Sequence, residues 1–261
     1  SAKLTPPYSL FSKTNYATLG DLEAFKYRHV GTTYAGTDGI LVNEGDLVEA
    51  IPSAANPTPN RVTNIQDAAA DPSKVDQEKF KWLEYYKIKF KADWYTKIYG
   101  KLVLRSLSEF GFMGAYNQNR GSVPFERFYL GGDGMANFAM DGRETIQLRG
   151  YPNNSLTPIN NAGEQLGATI YNKFSLEMRY PITLKASASI YALAFLEAGS
   201  SYESFKSYNP FALNRSAGVG LRVFMPAFGL LGIDFAKGFD ALPGQTAPNG
   251  WETHFIIGQQ F

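Results

Sequence analysis

The chain of 261 residues contains no cysteine, which excludes disulfides, thiolate metal sites and cysteine nucleophiles. It has no run of 18 apolar residues either, so no helix of it is expected to cross a membrane, and no signal-peptide pattern follows Ser1. Histidine is scarce. The two present, His29 and His254, have no serine or aspartate in a recognisable catalytic order around them, and neither a Gly-x-Ser-x-Gly motif nor a metal-ligand spacing occurs. Neither enzymatic activity nor a cofactor or metal is expected on these grounds. A net charge of +1 without a basic stripe argues against a nucleic-acid partner, since phosphate binding needs concentrated Lys and Arg.

Aromatic residues, by contrast, make up 15% of the chain, and 25 glycines and 14 prolines punctuate it. That is an all-β composition. The stretch Lys81–Tyr95 separates into two faces when read by alternate residues. Trp82, Tyr86, Ile88, Phe90, Ala92 and Trp94 fall on one, and Leu83, Tyr85, Lys87, Lys89, Lys91 and Asp93 on the other. A soluble half-buried strand also alternates, but it runs about 5–6 residues. Alternation over roughly 13 suits a tilted membrane strand, and Trp82 and Trp94 bracket its apolar face as interfacial aromatics would.

The pattern returns at 168–182, where Ile170, Phe174, Leu176, Met178, Tyr180 and Ile182 oppose Tyr171, Lys173, Ser175, Glu177 and Arg179. It returns at 214–225, with Ala217, Val219, Leu221, Val223 and Met225 opposite Ser216, Gly218, Gly220 and Arg222, small inward residues that leave room on the polar side. Weaker versions occupy 101–112 and 230–239, where Asp234 opposes Leu231, Ile233 and Phe235, and a final strand occupies 251–261, with Trp251, Phe255, Ile257 and Phe261 opposite Glu252, His254 and Gln260. Segment 185–199 is ambiguous, because Tyr191, Leu193 and Phe195 are as apolar as Ile190, Ala192, Ala194 and Leu196, and only Glu197 breaks the tie.

These are seven strands, joined by connections that alternate between tight (near 96–101, 182–186 and 226–229) and long (about 12–80, 113–167, 200–213 and 240–250). Outer-membrane barrels have this asymmetry of short periplasmic turns and long extracellular loops. A soluble β-sandwich or ligand barrel would show turn signals every 8–12 residues, which two irregular segments of more than 50 residues contradict. The expected fold is therefore all-β, a transmembrane antiparallel β-barrel. Seven strands cannot close such a barrel, so the chain reads as part of one. Its opening, "SAKLTPPYSLF", looks like the tail of a preceding strand entering a loop. Segment 12–80, with ten acids against six bases, reads as an exposed, partly mobile extracellular loop with no Coulombic attraction to anionic headgroups.

Three stretches then become recognisable together: "PFERFYLGGDG" (124–134), "LRGYPNNSLTP" (148–158) and "NRSAGVGLRVFMPAFGLLGIDFAKGFD" (214–240), followed by a closing "FIIGQQF" (255–261). Over roughly residues 80–261 the chain resembles the BamA family of outer-membrane β-barrel assembly proteins, most closely its Bacteroidota forms. Segment 12–80 has no counterpart in that resemblance. The family's barrel has sixteen strands behind periplasmic domains, with an Arg-Gly-aromatic motif in its sixth loop. Counting back from Phe261 places that motif at Arg149, Gly150 and Tyr151, inside the long 113–167 loop, with 168–261 as the last strands and with the first strands and periplasmic domains outside this chain.

The resemblance implies that the loop folds into the lumen and that Arg149 pairs with acids of the next two strands, which match Glu177 and Glu197. Alternation supports Glu177 independently, whereas Glu197 rests on the resemblance. A guanidinium offers five fixed donors and can hold two carboxylates at once. Gly150 permits a close approach or sharp turn, and Tyr151 can bury its ring while its hydroxyl stays bonded. Gly258 stands where the family's last strand bends, as a kink or bulge site or merely as relief of crowding. Phe261 matches the terminal aromatic by which such barrels are recognised, and it equally suits an aromatic girdle.

The implied activity is folding and inserting other barrels by strand pairing at a lateral seam. The implied partners are nascent outer-membrane β-barrel substrates, assembly-machine lipoproteins, surface subunits and the lipid bilayer of the bacterial outer membrane. A two-partner-secretion pore of the same superfamily shares the Arg-Gly-aromatic loop and is the alternative. An ordinary porin would lack the context of Arg149, and a surface receptor would place its binding residues in segment 12–80.

Overall fold

A computed structural model describes residues 1–134, 143–160, 163–185, 188–226 and 229–258. Among the described residues the strands are, in chain order, β1 (Ala2–Leu4), β2 (Tyr34–Ala35), β3 (Leu41–Val42), β4 (Tyr86–Tyr99), β5 (Leu102–Gly114), β6 (Phe128–Leu130), β7 (Glu144–Ile146), β8 (Ile170–Lys185), β9 (Ala188–Tyr202), β10 (Asn214–Met225), β11 (Gly229–Ala241) and β12 (Pro248–Gly258). One α-helix, α1 (Pro72–Phe80), lies between β3 and β4. No described helix is long and apolar enough to cross a membrane.

Eight strands form one antiparallel sheet in the order β1-β4-β5-β8-β9-β10-β11-β12. The seven expected strands are all in it. The eighth is β1, whose three residues pair with Tyr86–Ile88 and are too few to show an alternation. The other seven strands of this sheet run 11 to 16 residues, longer than the ordinary globular strand.

The two faces are chemically distinct. In β8 the side chains of Phe174, Leu176, Met178, Tyr180 and Ile182 are exposed, while Lys173, Ser175 and Glu177 between them are buried. This inverts the soluble pattern: the apolar face is bare and the polar face is covered. The ambiguity in β9 resolves the same way. Leu196 is exposed, whereas Leu193, Phe195 and Glu197 are buried, so the polar face carries an apolar platform in which Leu193 and Phe195 pack with Ala236 of β11.

Strand β4 differs from its expected bounds. It begins at Tyr86 instead of Lys81, because α1 ends at Phe80 and the chain turns before the ladder starts. Trp82 thus lies outside the strand and does not bracket its apolar face, while Trp94 remains exposed on it.

By internal contacts the chain divides into two compact units. The first comprises 1–4, 86–114 and 122–261; the second comprises 5–85 and 115–121. Segment 12–80 is therefore more than a bare loop. It buries Leu19, Val42, Val48 and Ala68, pairs β2 with β3, and starts α1 with an Asp71 cap that accepts the backbone N–H groups of Ser73 and Lys74. Its alternation is too short-ranged for strands of membrane length to be read from it.

Candidate functional site

The connection between β5 and β8 looks irregular in sequence yet folds onto the polar face of the sheet with a core of its own. Strands β6 and β7 pair in parallel, and single bridges join Phe128 to Ala168 and Gly132 to Leu148. Phe128, Leu130, Ile146, Leu148, Tyr151 and Leu156 pack together against Met113 of β5 and Tyr171 of β8. Burial of a large apolar side chain contributes about 1.5–3 kcal/mol, so this cluster holds the segment down before any polar contact is counted.

Charge then fixes its edge. Glu144 receives Lys87 and Lys89, each at 2.7 Å, and the Lys87 ammonium also lies 4.5 Å from the centre of the Phe128 ring. Burial pushes the Glu144 carboxyl up, and hydrogen bonds from the two lysines outweigh that and hold it below the usual carboxylate range.

At the far end of the segment sits Arg149, only 3% exposed. One of its terminal nitrogens, Nη2, donates to Glu177 Oε2 at 3.0 Å and to Glu197 Oε1 at 2.6 Å, and the other, Nη1, donates to Asp234 Oδ2 at 3.1 Å. Its backbone N–H donates to Glu197 Oε2 at 2.9 Å. The guanidinium carbon lies 3.5 Å from the centre of the Phe195 ring, so the apolar platform in β9 is the surface against which the planar cation stacks. Burial pulls the arginine's pKa down, and Glu197, Glu177 and Asp234 more than reverse it, so the guanidinium stays charged.

The two following residues extend the contact. Gly150 has φ +88°, and a Cβ there would stand 2.8 Å from the Ser216 Cβ and 3.1 Å from the Gly238 nitrogen. Its N–H donates to His254 Nε2 at 2.8 Å, and its carbonyl accepts from the Asn249 side chain at 2.9 Å. Tyr151 is fully buried; its hydroxyl donates to the Arg215 carbonyl at 2.6 Å and accepts the Asp240 N–H at 3.3 Å. Burial raises the phenol's pKa. Together the three residues bond to β8 through Glu177, β9 through Glu197, β10 through Arg215, β11 through Asp234 and β12 through His254. A single turn thereby touches five consecutive strands.

Each carboxylate that holds Arg149 has a second cation. Glu177 pairs with Arg179, Asp234 with Arg222 at 2.6 Å, and Glu197 with Lys173 at 3.8 Å. Beside this network lies a polar cavity of about 440 Å³, lined by Lys91, Arg105, Glu109, Lys173 and Arg179 among others.

The expected trio of Arg149 with Glu177 and Glu197 is thus brought together, with Gly150 and Tyr151 seated beside it. Asp234, His254, Asn249 and Phe195 also belong to the site and were not assigned to it from the sequence. Asp234 was legible as an inward acid, but its pairing with His254 across β11 and β12 needs the register. The small residues of β10 do not leave open room: a Cβ at Gly218 would stand 2.5 Å from the Phe195 ring, and one at Gly220 would overlap the Asp234 carboxylate. Gly258 pairs with Leu230 in regular register, while the irregularity between β11 and β12 falls at 238–241. Open space surrounds its missing Cβ, so neither a bulge nor crowding sets Gly258 apart. Phe261 lies outside the described residues.

No curated protein matches the sequence. Among solved structures, the crystal structure of BamA from Haemophilus ducreyi lacking POTRA domains 1–3 is similar, with 20% identity and a TM-score of 0.47 over 66% of this chain and 34% of that one. The chain spans about a third of the length of that structure. Residues 73–261, well over half of the chain, match the family model of the Omp85 superfamily domain, and the chain belongs to the Omp85 superfamily.

Proposed function

We propose that this chain supplies the C-terminal strands of a bacterial outer-membrane β-barrel that folds and inserts other β-barrel proteins, without catalysis or a cofactor. The supporting observation is the contact of Arg149, Gly150 and Tyr151 with β8 through β12. An insertase that works by strand pairing has to present a backbone edge of fixed shape to its substrate. Unpaired N–H and C=O groups at an edge attract any strand, and in lipid they have no other partner. Five strands stapled by one turn form a rigid template, and rigidity limits the ordering entropy lost when a nascent strand adds to β12.

In this reading the apolar face of the sheet meets the bilayer, the docked segment occupies the lumen, and lipoproteins or surface subunits of the assembly machine are its partners. The polar cavity of about 440 Å³ favours a second reading, a translocation pore of two-partner-secretion type, because a charged, water-accessible space is what a conducting path requires.

The two are separated with the full-length protein in liposomes. An insertase accelerates conversion of an unfolded barrel substrate to its heat-modifiable, folded form, and Arg149→Ala removes most of that acceleration. Steady ion conductance with no effect on substrate folding would instead select the pore.

A further inference from the structure

The polar cavity beside Arg149 has more cations in its wall than acids to hold them. Six cationic side chains line it against three acidic ones. Two acids outside the lining narrow the difference: Asp93 accepts two hydrogen bonds from Arg105, at 2.9 and 2.7 Å, and Asp234 accepts two from Arg222, at 2.6 and 2.7 Å. Lys91 meets Glu109 at 3.0 Å, Arg179 meets Glu177, and Arg149 spans Glu177, Glu197 and Asp234. One positive charge is left over.

That charge is Lys173 of β8, which is only 4% exposed. Its contact with Glu197 Oε1 is 3.8 Å long, beyond hydrogen-bond range. The same oxygen already accepts from Arg149 at 2.6 Å and from the Ser175 hydroxyl at 3.2 Å. Glu109 stands opposite Lys173 across β5 and β8 but is engaged by Lys91. An ammonium has three N–H donors, and among the described residues Lys173 bonds none of them. A buried charge without hydrogen bonds is costly, so its partner has to come from the cavity. Water can hydrate it; only an anion also neutralises it.

The surrounding wall supplies further donors. Arg105 spends Nε and Nη2 on Asp93, and Arg179 spends Nε on Glu177, which leaves Nη1 of the first and both terminal nitrogens of the second without a protein acceptor among the described residues. Aromatic rings steady both guanidiniums, Tyr95 lying 5.8 Å from that of Arg105 and Tyr191 lying 5.4 Å from that of Arg179. From the docked segment the Gln147 amide also lines the space. Donors on β5, β8 and the segment suit a tetrahedral group with oxygens on several sides better than a planar carboxylate with two. Water takes about 30 Å³ in the liquid, so about 440 Å³ accepts such a group together with hydrating water.

We infer that this cavity binds a phosphate group, with Lys173 as its charge partner and Arg105, Arg179 and Gln147 as the surrounding donors. Thr145, Gln147 and Arg149 of the docked segment line it together with the sheet, so the site is complete only while the segment is docked. Bound phosphate therefore favours docking by the factor 1 + [phosphate]/Kd. This holds whether the barrel inserts other barrels or conducts.

The test is tryptic cleavage after Arg127 in the full-length protein in detergent, with sodium phosphate replacing sodium chloride at constant ionic strength. Cleavage is expected to slow along a saturating curve, about tenfold once phosphate reaches ten times its Kd. Lys173→Gln is expected to flatten that curve; Glu197 keeps Arg149 in this variant, and heat-modifiable mobility certifies that it is folded. Lys185→Gln, exposed on the same strand and outside the cavity, keeps the curve. Gln147→Glu builds a carboxylate into the segment's share of the wall, and is expected to be cleaved slowly in chloride and to ignore phosphate. Glycerol 1-phosphate protecting as well as inorganic phosphate assigns a phosphate carried on a larger molecule, and weaker protection assigns the free ion. Equal cleavage in phosphate and chloride overturns the site, as does a phosphate response that survives Lys173→Gln or Gln147→Glu. Acetate protecting as well as phosphate overturns the tetrahedral assignment.

Discussion

Asp234 and His254 face each other across β11 and β12, and the Arg-Gly-Tyr turn binds both, Arg149 donating to the Asp234 carboxylate at 3.1 Å and Gly150 to the His254 ring at 2.8 Å. The acceptor nitrogen of His254 is therefore unprotonated, and the last two strands are tied by the same loop that reaches β8. The site is a charge network more than a single pair. Among the described residues three carboxylates, Glu177, Glu197 and Asp234, meet four cations, Arg149, Lys173, Arg179 and Arg222.

That surplus predicts how Arg149→Ala behaves. Deleting one partner of an isolated buried pair costs about 3–5 kcal/mol because a charge is stranded. Here the three carboxylates keep three cations, so no charge is stranded, and what is lost is the three hydrogen bonds of the guanidinium, a loss that falls on the loop. The loop is expected to become cleavable by trypsin after Arg127 while the sheet keeps most of its resistance to heat. Arg149→Lys does not restore protection, since one ammonium cannot copy a fork that reaches carboxylates on three strands. Unchanged cleavage in Arg149→Ala would mean that the apolar core alone docks the loop.

Gly150 combines two constraints that substitution can separate. Its φ of +88° lies in the left-handed region, where an L side chain costs roughly 1–2 kcal/mol, and a Cβ would also crowd Ser216 and Gly238. Gly250 has φ +94° and open space around it. Gly250→Ala is expected to lower the unfolding midpoint by the strain alone, and Gly150→Ala by the strain plus the contact. Equal losses, measured by heat-modifiable mobility, would show that the turn is not tightly seated against β10 and β11.

The pH response at the edge of the loop follows from Glu144. Its carboxyl is held below the ordinary value of 4.5 by Lys87 and Lys89, so it contributes stability that is fully present above that value and is lost as pH falls through the folded-state pKa. Subtracting the stability of Glu144→Gln from that of the wild type isolates the effect from other acids. The difference is expected to be constant from neutral pH down to about pH 5 and to shrink on further acidification. A difference that stays flat to pH 2.5 in acid protease digestion would show that the lysine contacts are not made.

Alternation made the sheet legible, because strands of 11 to 16 residues are long enough for period two to stand above noise. Glu177 was readable for the same reason, lying between Leu176 and Met178 as the odd face of β8. Glu197 was not readable by alternation, since Leu193 and Phe195 share its face and obscure the sign of the strand. His254 and Asn249 were invisible as partners because their role depends on register and on where a loop lands. The 5–85 unit was hidden for another reason. Its hydrogen bonds are local turns, caps and single bridges, and its fixed point, Glu84 with Arg120, joins residues 36 positions apart.

Phe195 allows the stacking of Arg149 to be measured apart from its ion pairs. The ring lies 3.5 Å under the guanidinium and also packs with Leu193 and Ala236, so simple truncation would mix a cavity with a lost cation–π contact. Phe195→Leu keeps an apolar group of moderate size and removes the π-face. A double-mutant cycle with Arg149→Gln then cancels the packing part, because that part is lost whether or not the cation is present. A desolvated cation–π pair contributes about 2 kcal/mol, and a coupling of that order is expected in the loop-protection equilibrium. A coupling near zero would reduce Phe195 to a spacer and would place the hold on Arg149 in the three carboxylates alone.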